Sequence, residues 1–140
     1  MLKNKGTNMK AKMAFIALAM FAGQAQAEWE YIFKTDLIKL YIDKSTIRNQ
    51  SGYTLAWVTR DYLKPQGSLG YMHRSVKILQ VAKCGEFVIG IKSFAEYSGN
   101  MGKGDVVLSS PSEEFHQIKF SDVSPGSLAE GTYNAICGIE

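Results

Sequence analysis

Between Trp29 and Val107 the chain alternates apolar and polar positions with a period of two, the pattern of strands that turn one face to a core. Trp29 to Lys34 and Leu37 to Asp43 are short runs broken at Thr35-Asp36, and Ser45, Asn49, Gln50, Ser51 and Gly52 make the next connection. Tyr53, Leu55 and Trp57 alternate with Thr54, Ala56 and Val58 in a strand that reaches about Tyr62, and Pro65, Gly67, Ser68 and Gly70 then interrupt it. A second long run, Tyr71 to Cys84, places Val76, Ile78, Ala82 and Cys84 on one face and Lys77 and Lys83 on the other, as a half-buried antiparallel strand requires. Gly85-Glu86 turns the chain into Phe87 to Tyr97, where alternation puts Phe87, Ile89, Ile91, Ala95 and Tyr97 on one face. The glycine-rich loop Ser98 to Gly104 leads to a last strand, Asp105 to Ser109.

The period then changes. Ser127-Leu128-Ala129-Glu130 matches a capping box, in which the serine hydroxyl accepts from the Glu130 amide and the Glu130 carboxylate reaches back. On a helix from Leu128 to Cys137, residues Leu128, Ala129, Tyr133, Ile136 and Cys137 fall on one arc, and Gly138 is placed to stop it. Gly131 costs about 1 kcal/mol in a helix interior, so a helix this short needs tertiary support.

The first 27 residues change how the rest is read. Lys3, Lys5, Lys10 and Lys12 precede a short apolar run, Ala14 to Gly23, and Ala25-Gln26-Ala27 is a small-x-small cleavage site, so residues 1–27 read as a secretory signal peptide and Glu28 as the mature start. Met9 gives a more usual signal length than Met1. The apolar run is about half of what a membrane-spanning helix needs, and no cysteine follows the cleavage site to carry a lipid. The expectation is an exported protein, periplasmic or at the cell surface, that is not lipid-anchored. Of the 16 Lys+Arg, four lie in the signal with none of the 13 Asp+Glu, so residues 28–140 carry 12 against 13. A basic footprint for nucleic acid is therefore not expected. These residues suffice for one domain with one core.

Cys84 and Cys137 are the only cysteines. Export into an oxidising compartment makes a disulfide the natural reading, and closing a loop of about 54 residues would stabilise the fold by roughly 4 kcal/mol on the chain-entropy model. The competing reading, a nucleophilic thiol served by His73 or His116, is the weaker one, because in an oxidising compartment the other cysteine would capture that thiol in a disulfide. The predicted architecture is α+β: an antiparallel sheet of about six strands with a C-terminal helix packed on one face and tethered to it by Cys84–Cys137.

Catalytic machinery is hard to find. Gly99, Gly102 and Gly104 suggest a phosphate loop, but Val106-Val107-Leu108 follows as a strand where a helix N-terminus would be needed. His73 and His116 show no metal-ligand spacing, and Asp61, Glu96 and Asp105 read as solvated strand-edge charges. No cofactor, metal site or enzymatic activity is expected. Aromatic residues carry more signal. Alternation sends about half of Trp29, Tyr31, Phe33, Tyr41, Tyr53, Trp57, Tyr62, Tyr71, Phe87, Phe94 and Tyr97 to each sheet face, more than one core can take. The loop Tyr97, Ser98, Gly99, Asn100, Met101, Gly102 and Gly104 is the candidate binding element, with Met101 serving either protein contact or as a packing plug beneath it.

The ordered set Asp61-Tyr62, Lys64-Pro65-Gln66, Ser75, Lys77, Cys84, Tyr97-Ser98-Gly99, Met101-Gly102, Gly104, Val106-Val107, Pro125-Gly126-Ser127, Glu130 and Cys137, with Trp29, Tyr41, Asp43, Ser45 and Ile47 at the opening, resembles the surface-adhesin protein E family across residues 28–140. The resemblance implies an exported bacterial domain with a disulfide-tethered helix, binding to host extracellular-matrix and serum proteins, and dimerisation. Lys83 and Phe115 depart from the family pattern. Two functions follow: a non-catalytic protein-binding module for host matrix or bacterial envelope proteins, or a periplasmic domain that binds a small ligand or peptide between sheet and helix. The first requires an exposed aromatic patch on the sheet face away from the helix, the second an apolar pocket with a few convergent polar groups.

Overall fold

The computed structural model describes residues 27–140, so the expected signal segment lies outside the described residues except for Ala27. Seven antiparallel strands form one sheet: β1 (Trp29–Lys34), β2 (Ile38–Gln50), β3 (Tyr53–Gln66), β4 (His73–Lys83), β5 (Val88–Tyr97), β6 (Val106–Ser109) and β7 (Ser121–Asp122). The first six run as a meander in chain order, and β7 pairs with the start of β5, whose other end pairs with β6. Helix α1 (Leu128–Cys137) closes the chain.

The strands expected from alternation are present, with two differences. The expected connection at Ser45 to Gly52 is largely strand: β2 runs on to Gln50, with a bulge between Asp43 and Arg48. Asp43 accepts from the Ser45 amide and hydroxyl, while the Thr46 hydroxyl donates to Asp43 O and accepts from the Trp57 amide. These bonds give the extra residues partners inside the sheet. The second difference is in β5, where a bulge opposite Leu79 and Gln80 pairs Ile91 with Gln80 and Ser93 with Leu79, leaving Lys92 as the additional residue. Side-chain parity reverses there, so Ile89 and Ile91 share the inner face with Phe94 while Ala95 and Tyr97 lie on the outer face. The five residues do not share one face.

The inner face carries Ile42, Ala56, Val58, Val76, Ile78, Ala82 and Ile89, packed under Tyr133 and Ile136 of α1. The helix begins where the capping signal places it. The Ser127 hydroxyl accepts from the Glu130 amide at 3.2 Å, the Glu130 carboxylate accepts from the Gly126 amide, and Gly138 ends the helix in a left-handed conformation. Gly131 is explained by packing: a Cβ there would enter the ring of Phe33, so its absence lets the helix lie close on β1. Cys84 and Cys137 are bonded, with Cα atoms 5.6 Å apart. Beside them, the Tyr133 hydroxyl accepts from the Gly85 and Phe87 amides, which holds the β4–β5 turn onto the helix.

Strand β4 is buried on both faces, not one. Leu79 and Val81 join Leu55 and Ile118 in a second cluster on the outer face, bordered by Tyr53, Trp57, Phe115 and Phe120. The segment from Ser110 to Phe120 produces this by folding over that half of the outer face before β7 returns it to the sheet. Tyr53 stacks on Phe115 and Phe120 at 4.8 and 5.6 Å, and Lys83 lies 4.5 Å above the Phe120 ring. The other half of the outer face stays open.

Candidate functional site

The open half of the outer face is built from register. Trp29 pairs with Asp43 and Asp43 with Trp57 across β1, β2 and β3, and Tyr31, Tyr41, Thr59, Lys77 and Ala95 form the next row. A bulge at Ile32 makes the row: Trp29 and Tyr31 face outward, while Phe33, pairing with Leu40, turns inward beneath the helix. Without that extra residue all three aromatics would share a face. Tyr97 adds to the patch from β5, opposite Ser75.

Together these residues line a cleft of about 300 Å³ formed by Ala27, Trp29, Asp43, Trp57, Lys77, Ala95 and Tyr97. The Lys77 ammonium stands 5.7 Å from the Trp29 ring and 5.3 Å from the Tyr97 ring, within cation–π range. Among the described residues it forms no ion pair. Asp43 is buried at the base of the cleft, and its Oδ1 is committed to Ser45. A ligand here would meet three half-buried aromatic rings and one cation.

The loop singled out in the sequence lies beside this cleft. Asn100 Nδ2 and the Met101 amide both donate to Asp61 Oδ1, at 3.1 and 2.8 Å. The Ser75 hydroxyl donates to Gly99 O and accepts from the Gly102 amide. The Ser98 hydroxyl accepts from the Asp105 amide and closes the loop's base. Met101 is half-buried at φ 54°, and Gly102 passes so close to the Lys77 side chain that a Cβ would collide with it. The loop is thus tied to β3 and β4. Asp61 is not the solvated charge expected from the sequence, and Glu96 is also engaged, 3.3 Å from His73 Nδ1. Asp105 is exposed.

Because Asp61 accepts two of the bonds that fold the loop, Asp61→Ala should release it without unfolding the sheet. The Met101 amide should exchange with solvent at least tenfold faster, and stability should fall by about 1 to 3 kcal/mol. Unchanged amide exchange at Met101 would refute that role.

Sequence reasoning found Tyr97 and the loop but did not connect them with Lys77. The signal was available: Lys77 sits on the non-core face of β4 in the same strand run as apolar Leu79 and Val81 of that face. It also missed exposed Leu63, Leu69, Tyr71 and Met72 at the β3–β4 hairpin, a stretch marked only by its proline and glycines.

The model of the surface-adhesin protein E family matches residues 29–138. The chain belongs to this family. Its fold is similar to that of Haemophilus influenzae protein E in two crystal structures, each at 15% identity, with a TM-score of 0.55 and coverage of 81% of this chain and 89% of that one. No curated protein matches the chain in sequence. Membership covers both cysteines, the capped helix, the loop and the aromatic cleft, and makes the domain a surface-adhesin-like binding module of exported type. No helix among the described residues is long and apolar enough to cross a membrane.

Proposed function

We propose that the domain is exported by cleavage after Ala27 and captures a protein partner through the open half of its outer sheet face, with no catalytic step. The observation that carries this reading is the cleft in which Trp29, Trp57 and Tyr97 surround an ion-unpaired Lys77. Rigid aromatic rings offer large contact area at small entropic cost, and a cation set among them suits a partner loop that presents an acidic residue beside an apolar one. Ala27 forms one wall of the cleft, so its removal on processing would widen the entrance. The loop Ser98 to Gly104 lies beside the cleft, with Gly102 against the Lys77 side chain. Family membership favours a host extracellular-matrix protein as partner and the cell surface as location, over an envelope protein in the periplasm. β1 is one edge of the sheet and offers unpaired backbone groups to a second copy, which supports a homodimer.

The test is binding of the processed protein to immobilised extracellular-matrix extract and to envelope extract, with Trp29→Ala and Tyr97→Ala compared separately after each is confirmed to melt like the parent. Loss of either ring should weaken capture about 30-fold, the scale of an interface hot spot. Full binding by both folded variants would move the site elsewhere.

A further inference from the structure

A second cavity, of about 490 Å³, opens where α1, β5 and the segment 110–121 meet. It owes nothing to the outer-face cleft. Its floor is the inner face of β3, β4 and β5, from which Arg60, Gln80, Ile91 and Phe94 contribute to the lining, and Ala129 and Thr132 of α1 close it from above.

Among the described residues, two of these side chains have unmet polar groups. Gln80 is 4% exposed; its Nε2 donates to Gly90 O at 2.9 Å, and its Oε1 is buried without a partner. Arg60 Nε is likewise buried without a partner. Burial lowers the pKa of the Arg60 guanidinium, and the neighbouring Tyr62 hydroxyl opposes that shift. Buried polar atoms are nearly always paired, so both point to something that occupies the space. Thr132 does not answer this need, because its hydroxyl donates to Leu128 O. The charge around the cavity is cationic: Arg60, Lys92 and Lys119 against Glu113, with Lys92 already bonded to Ser112 and to the Glu113 carbonyl.

The chemistry of a fitting ligand follows from these demands. Arg60 requires an acceptor, and a planar guanidinium in a desolvated site is best matched by a carboxylate. Gln80 Oε1 requires a donor. Ile89, Ile91, Phe94, Ile118 and Ala129 supply an apolar stretch of the lining, beside polar Ser110, Gln117 and Ser121. We propose that this cavity binds a small amphipathic carboxylate that also carries an N–H donor, an N-acyl amino acid being the simplest case, with Arg60 holding the carboxylate and Gln80 accepting from the N–H.

The experiment titrates the full processed chain with N-acetyl-L-phenylalanine and with its amide, following backbone amide resonances. Gly90, Ile91, Ala129 and Thr132 should shift with the acid, which should bind at least tenfold more tightly than the amide. Arg60→Met should erase that preference while leaving the melting temperature unchanged or raised, since Arg60 is partly desolvated and forms no ion pair among the described residues. Should Arg60→Met fail to fold, Arg60→Lys, which lacks the planar fork, should narrow the acid–amide ratio, and Gln80→Met should weaken both probes. An octapeptide ending in phenylalanine distinguishes the source: binding as tight as the small acid assigns the carboxylate to a peptide C-terminus, and no binding assigns it to a free small molecule. Absence of shifts with either probe at millimolar concentration, or equal affinity for acid and amide, would overturn the proposal and leave a cavity filled by water only.

Discussion

Replacing Cys84 and Cys137 together by serine should lower stability by about 2 to 5 kcal/mol, the largest effect expected from any change outside the deep core. The two cysteines lie 53 residues apart and join the end of β4 to the last residue of α1. A ten-residue helix with a glycine inside it has little stability of its own, so its order depends on docking. Breaking the bond enlarges the unfolded ensemble and leaves Tyr133 and its bonds to the Gly85 and Phe87 amides as the main link at that end of the helix. Urea denaturation of the double variant, read against the oxidised parent, measures the loss. An unchanged midpoint, or free thiols in the protein recovered from its native compartment, would show that the bond is not part of the working fold.

Gly131→Ala should destabilise the domain by about 1 to 3 kcal/mol, the opposite of what helix propensity predicts. In a solvated helix the exchange would gain about 1 kcal/mol. Here the added methyl meets the Phe33 ring, which the bulge at Ile32 has turned inward beneath the helix. The penalty is specific to that contact, so Phe33→Leu in the Gly131→Ala background should recover part of the loss. A gain in stability from Gly131→Ala alone would mean that α1 does not lie this close to β1.

The same residue divides what could be read from the chain from what could not. Gly131 is visible in the sequence as a local cost, and nothing local says that the ring of Phe33, 98 positions earlier, occupies the space it leaves. Asp61 is similar. As a strand residue it reads as a solvated charge, yet it organises a loop forty residues later because β3 and β4 are paired and the loop crosses their ends.

Alternation by itself determined where β1 to β6 lie, the turn at Gly85-Glu86 and the change to helical period after Ser127, because each depends on contacts between residues a few positions apart, whereas β7 and the full length of β2 depend on pairing. The first 27 residues determined the expectation of export, and with it the two cysteines determined the tether. Tertiary structure alone decided which face each aromatic occupies. One extra residue at Ile32 and another at Lys92 reverse side-chain parity, and a bulge leaves no mark on hydrophobic periodicity beyond a shift of one position. It also decided that Leu79 and Val81 are buried, since the segment that covers them folds over from beyond β6, and that Arg60 and Gln80 meet in a cavity with unmet polar groups. Those outcomes arise from strand register and from chain crossing between distant segments, where the energy lies in pairs of residues that the linear order keeps apart.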